Sequence, residues 1–220
     1  MREIIVAPSI LAADFGDFAG AVSAIEAAAA DWVHVDVMDG HFAPNLTFGP
    51  QLIADLRKRS SAFFDVHLMV ENPEKFIAVF AANGADSITF HAEAASASDS
   101  VALLKSIAKL GVKAGISISP ASPVTLLDGA LPYCGLVQVM TVEPGYCGQK
   151  LIPGCLEKVR ELAKIREQSG LNFAISADGG IHEGNAGALA DSGADVLVVG
   201  SAFFGAADKA ALVRRLKSLK

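Results

Sequence analysis

The sequence predicts an α/β barrel of eight strand–helix units. Three observations carry that expectation. Eight short apolar runs rich in Val and Ile recur along the chain. Their starts are spaced 24 to 36 residues apart, and Ala-rich or charged stretches with helical periodicity fill most of the intervals. Each interval fits one strand, one crossover helix and two short loops. Eight such units in 220 residues imply a closed (β/α)8 barrel spanning residues 1–220 as one domain.

The strands are expected at 4–10 (IIVAPSI), 32–38 (WVHVDVM), 63–70 (FFDVHLMV), 87–93 (SITFHAE), 112–119 (VKAGISIS), 136–142 (LVQVMTV), 172–178 (NFAISAD) and 196–201 (VLVVGS). Asp14 to Ala30 is Ala-rich and reads as the first helix. Asn72-Pro73-Glu74 has the order of an N-cap, a first-turn proline and an early acid. Residues 99–110 place apolar side chains on one helical face, and Gly111 follows as a stop. A similar helix runs from 155 to 168 and ends near Gly170, and the last one covers 206–219. A doubly wound open sheet is the alternative. It would carry a phosphate-binding glycine fingerprint after its first strand, where this chain has Pro8-Ser9-Ile10-Leu11.

Composition narrows the function classes. The formal charge is −6 and hydrophobic residues make up 52% of the chain. The acidic balance argues against a nucleic-acid partner. No apolar stretch reaches the ~20 residues needed to span a bilayer, so no membrane partner is expected. The start lacks the pattern of a secretory signal. Cys134, Cys147 and Cys155 form no CxxC pair, which predicts a reducing, cytoplasmic setting without disulfides.

Barrels keep their chemistry at the carboxyl ends of the strands. Residues i and i+2 of a strand share a face. His34, Asp36 and Met38 therefore share one face of the second strand, Asp65, His67 and Met69 one face of the third, and Ser176 and Asp178 one face of the seventh. The fourth strand offers His91 and the sixth Gln138 and Met140. If these faces point inward, two histidines and two aspartates (His34, Asp36, His67, Asp178) meet near one barrel mouth. Imidazole and carboxylate together suit one divalent ion, with Zn2+, Fe2+, Mn2+ and Co2+ all open. Asp36 and Asp178, on opposite sides, could remove and return a proton on opposite faces of a flat intermediate. A metal would stabilise the enediolate between those steps. Met38, Met69 and Met140 would line the remaining space with soft apolar surface.

Glycines close the mouth. The sixth loop contains Gly145-Tyr146-Cys147-Gly148, the seventh strand ends in Asp178-Gly179-Gly180, and the eighth in Gly200-Ser201. Loops after the last two strands commonly form the phosphate cup of barrels. No lysine falls inside the barrel for Schiff-base chemistry, because Lys113 starts its strand at the wrong end. Met38 stands where an Asp-x-Lys decarboxylase would need lysine. No sequence neighbour marks a base for a Cys147 thiol nucleophile. Trp32 and Phe63-Phe64 read as barrel packing, and His41 and His182 lie in loops without a role.

The segments Ala7-Pro8-Ser9-Ile10-Leu11, VHVDVMDGHFAPNLTFGP (33–50), DVHLMVENP (65–73), VMTVEPGYCGQKLIP (139–153), ADGGI (177–181) and VVGSAFF (198–204) resemble the ribulose-phosphate 3-epimerase family. The resemblance implies a phosphate-binding barrel of the ribulose-phosphate-binding type and an isomerase of the pentose phosphate pathway. It implies interconversion of D-ribulose 5-phosphate and D-xylulose 5-phosphate by inversion at C3. It assigns His34, Asp36, His67 and Asp178 as metal ligands and Asp36 and Asp178 as acid–base residues. Ser9, His67, Gly145 to Gly148, Asp178 to Gly180, Gly200 and Ser201 would bind the ketose phosphate. It also implies a homo-oligomer, a dimer or a hexamer. The chain departs from the family pattern at Cys147, at Ser176-Ala177 and in the fifth-strand end GISISP. Those departures keep D-allulose 6-phosphate open as a second substrate. A non-catalytic sugar-phosphate-binding barrel and a metal-dependent aldolase on the same scaffold also remain open.

Overall fold

The computed structural model describes residues 3–219; the outer limits of the expected domain, residues 1, 2 and 220, lie outside the described residues. Eight strands form the barrel: β1 (Ile5–Pro8), β2 (Trp32–Met38), β3 (Phe63–Met69), β4 (Ser87–His91), β5 (Lys113–Ile118), β6 (Leu136–Met140), β7 (Ala174–Asp178) and β8 (Val196–Val199). All neighbours are parallel in one sheet, ordered β1-β8-β7-β6-β5-β4-β3-β2. A bridge between Ser9 and His34 joins the β1 and β2 ends. Every expected strand is present; β2 keeps its full expected range, and the other seven lose one or two residues at one or both ends.

The alternation of side chains sorts the strands into two shells. Val33, Val35, Val37, Phe64, Val66 and Leu68 face outward and are buried under the helices. Burying each such side chain contributes about 1.5–3 kcal/mol. The polar partners of these residues face the axis, where Trp32, Leu136 and Val196 belong to a separate apolar cluster below them. Trp32 stacks on Phe63 with ring centroids 4.6 Å apart, which bears out the packing role of both.

The helices are α1 (Phe18–Ala27), α2 (Pro50–Arg57), α3 (Ile77–Ala82), α4 (Ala97–Lys109), α5 (Cys155–Ser169), α6 (Glu183–Asp191), α7 (Ser201–Phe204) and α8 (Lys209–Lys217). Helix α1 is shorter than the Ala-rich stretch because Asp17 caps it, accepting from the Gly20 N–H at 2.8 Å. Helix α5 stops where Gly170 adopts φ 63°. His182, without a role in the sequence, caps α6 by accepting from the Gly184 N–H.

Two expectations are corrected. Asn72 makes no side-chain cap; its amide turns to Glu71, and Pro73–Lys75 forms a single 3-10 turn before α3 begins at Ile77. The β5-to-β6 crossover contains no α-helix, only 3-10 turns at Val124–Leu127 and Leu131–Tyr133. Pro120, Pro123, Gly129 and Pro132 explain this, since proline removes donors and glycine weakens a helix.

One device recurs before β2, β4 and β8. The triplets Ala29-Ala30-Asp31, Gly84-Ala85-Asp86 and Gly193-Ala194-Asp195 each begin with a residue at positive φ (54°, 101° and 109°). Each aspartate then accepts from a backbone N–H of the preceding strand: Val6 at 2.8 Å, Phe64 at 2.8 Å and Ile175 at 3.0 Å. A helix-borne cation completes each clamp, Lys217 on Asp31, Arg57 on Asp86 and Arg166 on Asp195. These clamps fix strand ends opposite the polar mouth and so set the register on which the site depends.

Candidate active site

Strands β2 and β3 pair so that His34 lies beside Asp65, Asp36 beside His67 and Met38 beside Met69. The two strands thus stack three layers of inward side chains. Asp178 enters at the end of β7, beside Met140 of β6. The strand periodicity therefore brings His34, Asp36, His67 and Asp178 together, with one ligand atom from each lying within 4.8 Å of the others. All four are buried.

The distances fit a cation. Asp36 Oδ1 lies 3.2 Å from both His34 Nε2 and His67 Nδ1, and Asp178 Oδ2 lies 3.5 Å from the same two nitrogens. Ligands about 2.1 Å from a common metal are separated by about 3.0 Å in an octahedron and about 3.4 Å in a tetrahedron. The ring nitrogens are also oriented for it. His34 Nδ1–H donates to Asp65 Oδ2 at 2.8 Å, which leaves the Nε2 lone pair for the cluster.

Electrostatics agree. Burial raises the Asp36 pKa, but the charge of His34 and hydrogen bonds from His34 and His67 dominate and hold it far below the usual carboxylate range. Burial and the charge of Asp36 both raise Asp178, yet hydrogen bonds from His34 and His67 leave it lowered. Burial opposes charge on His34, but Asp36 and hydrogen bonds to Asp178, Asp36 and Asp65 raise it well above an ordinary imidazole. His67 is raised against burial by its bonds to Asp178 and Asp36. Two ionised carboxylates thus draw compensating positive charge into the cluster, as protons on the histidines or as one divalent cation. The donor set and geometry fit a divalent metal site.

The remaining expected residues form the cavity above the cluster. Ser9, Met38, Met69 and Met140 line its wall, and Gly145 to Gly148, Gly179, Gly180, Gly200 and Ser201 surround its mouth. His34 and His67 are fully buried beneath it. Ser9 donates to Asp36 Oδ2 at 2.5 Å. The sixth loop is tied across the mouth: Tyr146 donates to the Pro44 carbonyl at 2.7 Å and Asn45 to the Gly145 carbonyl at 2.9 Å. Gly179 and Gly180 adopt φ 123° and 65°. No lysine or arginine lines the cavity among the described residues. An anion there would meet backbone and hydroxyl donors instead.

Strand periodicity places Asp65, Gln138 and His91 on inward faces but gives them no role. Gln138 donates to Asp178 Oδ2 at 3.0 Å, and His91 Nε2 lies 2.9 Å from His67 Nε2. Burial pushes the His91 pKa down to about 4, overriding its bond to Glu93. Glu93 carries no sequence signal, because its contact with His91 follows from a 3-10 turn at Ala92–Ala94 and not from strand periodicity.

A parallel barrel with a metal-type cluster of two histidines and two carboxylates beneath a glycine-rimmed cavity has the makings of a metal-assisted acid–base enzyme. Comparison with known proteins narrows it. Residues 5–204 match the ribulose-phosphate 3 epimerase family. The chain is 48% identical to the ribulose-phosphate 3-epimerase of Treponema pallidum, covering 92% of each protein. It is 40% identical to that of Synechocystis, covering 100% of this chain and 95% of the relative. The chloroplastic ribulose-5-phosphate-3-epimerase of Arabidopsis thaliana is 40% identical, over 99% of this chain and 78% of that protein. Among solved structures, a 3-hexulose-6-phosphate synthase aligns with TM-score 0.67 at 16% identity, over 100% of this chain and 99% of the other. A tryptophan synthase α-subunit mutant from Pyrococcus furiosus aligns with the same score at 14% identity, over 100% and 99%. Both confirm the barrel fold. The chain belongs to the ribulose-phosphate 3-epimerase family.

Proposed function

We propose that the chain interconverts D-ribulose 5-phosphate and D-xylulose 5-phosphate by moving a proton at C3, with Asp36 and Asp178 as the acid–base pair. The observation that carries this is the placement of two ionised carboxylates, from β2 and β7, around one buried donor cluster at the floor of the cavity. One carboxylate removes the C3 proton from one face of the sugar. The other delivers a proton to the opposite face, so the stereocentre inverts. Ser9 holds Asp36 Oδ2, and Gln138 holds Asp178 Oδ2, so each carboxylate keeps a fixed orientation toward the sugar.

His34, Asp36, His67 and Asp178 would hold one divalent metal. Such an ion, when bound, supplies positive charge next to the enediolate oxygens and makes the C3 proton more acidic. The donor set leaves Zn2+, Fe2+, Mn2+ and Co2+ open. Gly179, Gly180, Gly200 and Ser201 hold the phosphate with backbone N–H and hydroxyl donors. Met38, Met69 and Met140 pack the carbon chain and exclude water from the reacting carbon. The names of the relatives above favour the five-carbon substrate over D-allulose 6-phosphate. The family likeness also supports a homo-oligomer.

No described helix is long and apolar enough to cross a membrane. The test is incubation of metal-replete protein with D-ribulose 5-phosphate in deuterated water. Deuterium should enter at C3 as xylulose 5-phosphate appears. Absence of both exchange and product would refute the assignment.

A further inference from the structure

We propose that His91 and Glu93 are positioning residues that fix the ring tautomer of His67, so that its Nδ1 lone pair faces the four-donor cluster. The inference rests on the metal reading of that cluster and extends it one layer outward.

The hydrogen bonds run in one direction. His67 Nδ1 faces Asp36 Oδ1 and Asp178 Oδ2 at 3.2 and 3.5 Å, with the Gln138 amide nitrogen at 3.0 Å beside them. With a divalent ion held in the cluster, Nδ1 is a ligand without a proton, and a neutral His67 carries its proton on Nε2. That N–H meets His91 Nε2 at 2.9 Å, and the two rings lie within 26° of parallel. His91 Nε2 can accept only if the His91 proton sits on Nδ1. Nδ1 in turn faces Glu93 Oε2 at 3.2 Å, a carboxylate oxygen that can only accept. The tautomer of each ring is dictated by the next group outward, and the sequence ends on a fixed negative charge.

Glu93 is itself held. Its Oε1 accepts from the Ser119 N–H at 2.7 Å. Lys158 Nζ gathers the Ser119, Pro120 and Ser122 carbonyls at 3.0, 2.6 and 2.5 Å, which fixes the loop that carries that donor. His67 and His91 are fully buried, whereas the Glu93 side chain is 23% exposed. The dyad therefore links the cluster to an anchored anion near the surface. Without Glu93, His91 is free to hold its proton on Nε2. That N–H would oppose the His67 N–H and drive the His67 proton onto Nδ1, where it blocks coordination. The Ser119 hydroxyl, 3.4 Å from His91 Nδ1, is a nearby substitute acceptor.

The experiment is a Zn2+ titration of metal-stripped protein against a chromophoric chelator. It uses wild type, Glu93→Ala, Glu93→Gln and the double variant Glu93→Ala/Ser119→Ala. Circular dichroism controls for folding, and imidazole 15N spectra are recorded on the Zn2+-loaded wild type. Outer partners of ligand histidines commonly set affinity by about 10- to 100-fold. Glu93→Ala should lose that factor, the double variant at least as much, and Glu93→Gln less, because its carbonyl still accepts. In the wild type, His91 should be protonated on Nδ1 and bare on Nε2. A His91 proton on Nε2, or unchanged Zn2+ affinity in the double variant, overturns the inference while leaving the metal site standing. Wild-type protein that binds no Zn2+ overturns the metal reading, and this inference with it.

Discussion

Ser9 donates its hydroxyl hydrogen to Asp36 Oδ2 across 2.5 Å, while Oδ1 of the same carboxylate faces His34 and His67 at 3.2 Å. One oxygen of Asp36 is thus committed to the cluster and the other is aimed by a residue from the β1 end. Hydrogen bonds to charged groups contribute about 1.5–3 kcal/mol. Ser9→Ala should therefore lower kcat by about 10- to 100-fold with normal folding, measured by a coupled assay and a thermal melt. An unchanged kcat would show that Asp36 needs no such partner.

Asp36 and Asp178 are both held ionised by the histidines between them. Replacing either with Asn preserves shape but removes the proton acceptor. Asp36→Asn and Asp178→Asn should each lower kcat by about 100- to 10,000-fold. Both effects are read as loss of C3 deuterium exchange in metal-loaded protein. Wild-type exchange in either variant would remove that residue from the proposed pair.

Gly180 sits at φ 65°, where an added Cβ would lie 2.6 Å from the Leu151 nitrogen and 2.7 Å from the Gln149 carbonyl oxygen. The obstacle is backbone of the sixth loop, so that loop must move. Gly180→Ala should raise KM for ribulose 5-phosphate by more than about tenfold and weaken inhibition by inorganic phosphate, with a smaller change in kcat. Equal phosphate affinity in the variant would place the phosphate elsewhere.

Asp39 anchors the segment after β2. Its carboxylate accepts from the His41, Phe42 and Glu71 N–H groups at 2.9, 2.9 and 2.8 Å. Burial pushes its pKa up, but these bonds together prevail and lower it. A depressed folded-state pKa gives stability that is present above the ordinary carboxylate value near 4. That stability is lost as pH falls through the lower folded value. Asp39→Asn should cost about 1 kcal/mol at pH 7, a modest figure because solvent reaches the group. Melts of the two proteins at pH 7 and pH 4 should differ less at the lower pH. A gap that widens on acidification would contradict the sign.

Much of the fold and site is legible in the sequence because strand periodicity alone fixes which residues face the axis. His34, Asp36, His67 and Asp178 alternate with Val, Leu and Ala that belong to the outer shell, so four ligands can be read from spacing. The β5-to-β6 crossover is less legible because repeat length counts residues and ignores proline. Asn72 resembles a cap by residue type, but a cap also depends on a rotamer that residue type does not fix. Glu93 reaches His91 through a 3-10 turn, and Ser9 reaches Asp36 across the β1–β2 seam, two contacts that no periodicity encodes.

The three aspartate clamps are also hidden in the sequence, because their partners lie 20 to 186 residues apart. Set side by side, they expose a mismatch. The turn that opens each clamp needs positive φ; Gly84 and Gly193 supply it freely, while Ala29 is the one non-glycine residue held there among the described residues. An L side chain in that region is disfavoured by roughly 1–2 kcal/mol, and replacing it with glycine returns about 0.4–1 kcal/mol of that through the freer unfolded chain. Ala29 is exposed, so its methyl group contributes little burial. Its carbonyl bond to Lys217, at 2.9 Å, involves no side-chain atom of Ala29 and survives the change. Ala29→Gly should therefore stabilise the barrel by about 0.5–1 kcal/mol and raise Tm by about 1–4 °C, with kcat unchanged. A lower Tm would mean that the alanine methyl is not the source of strain, and that the first clamp differs from the other two in more than its opening residue.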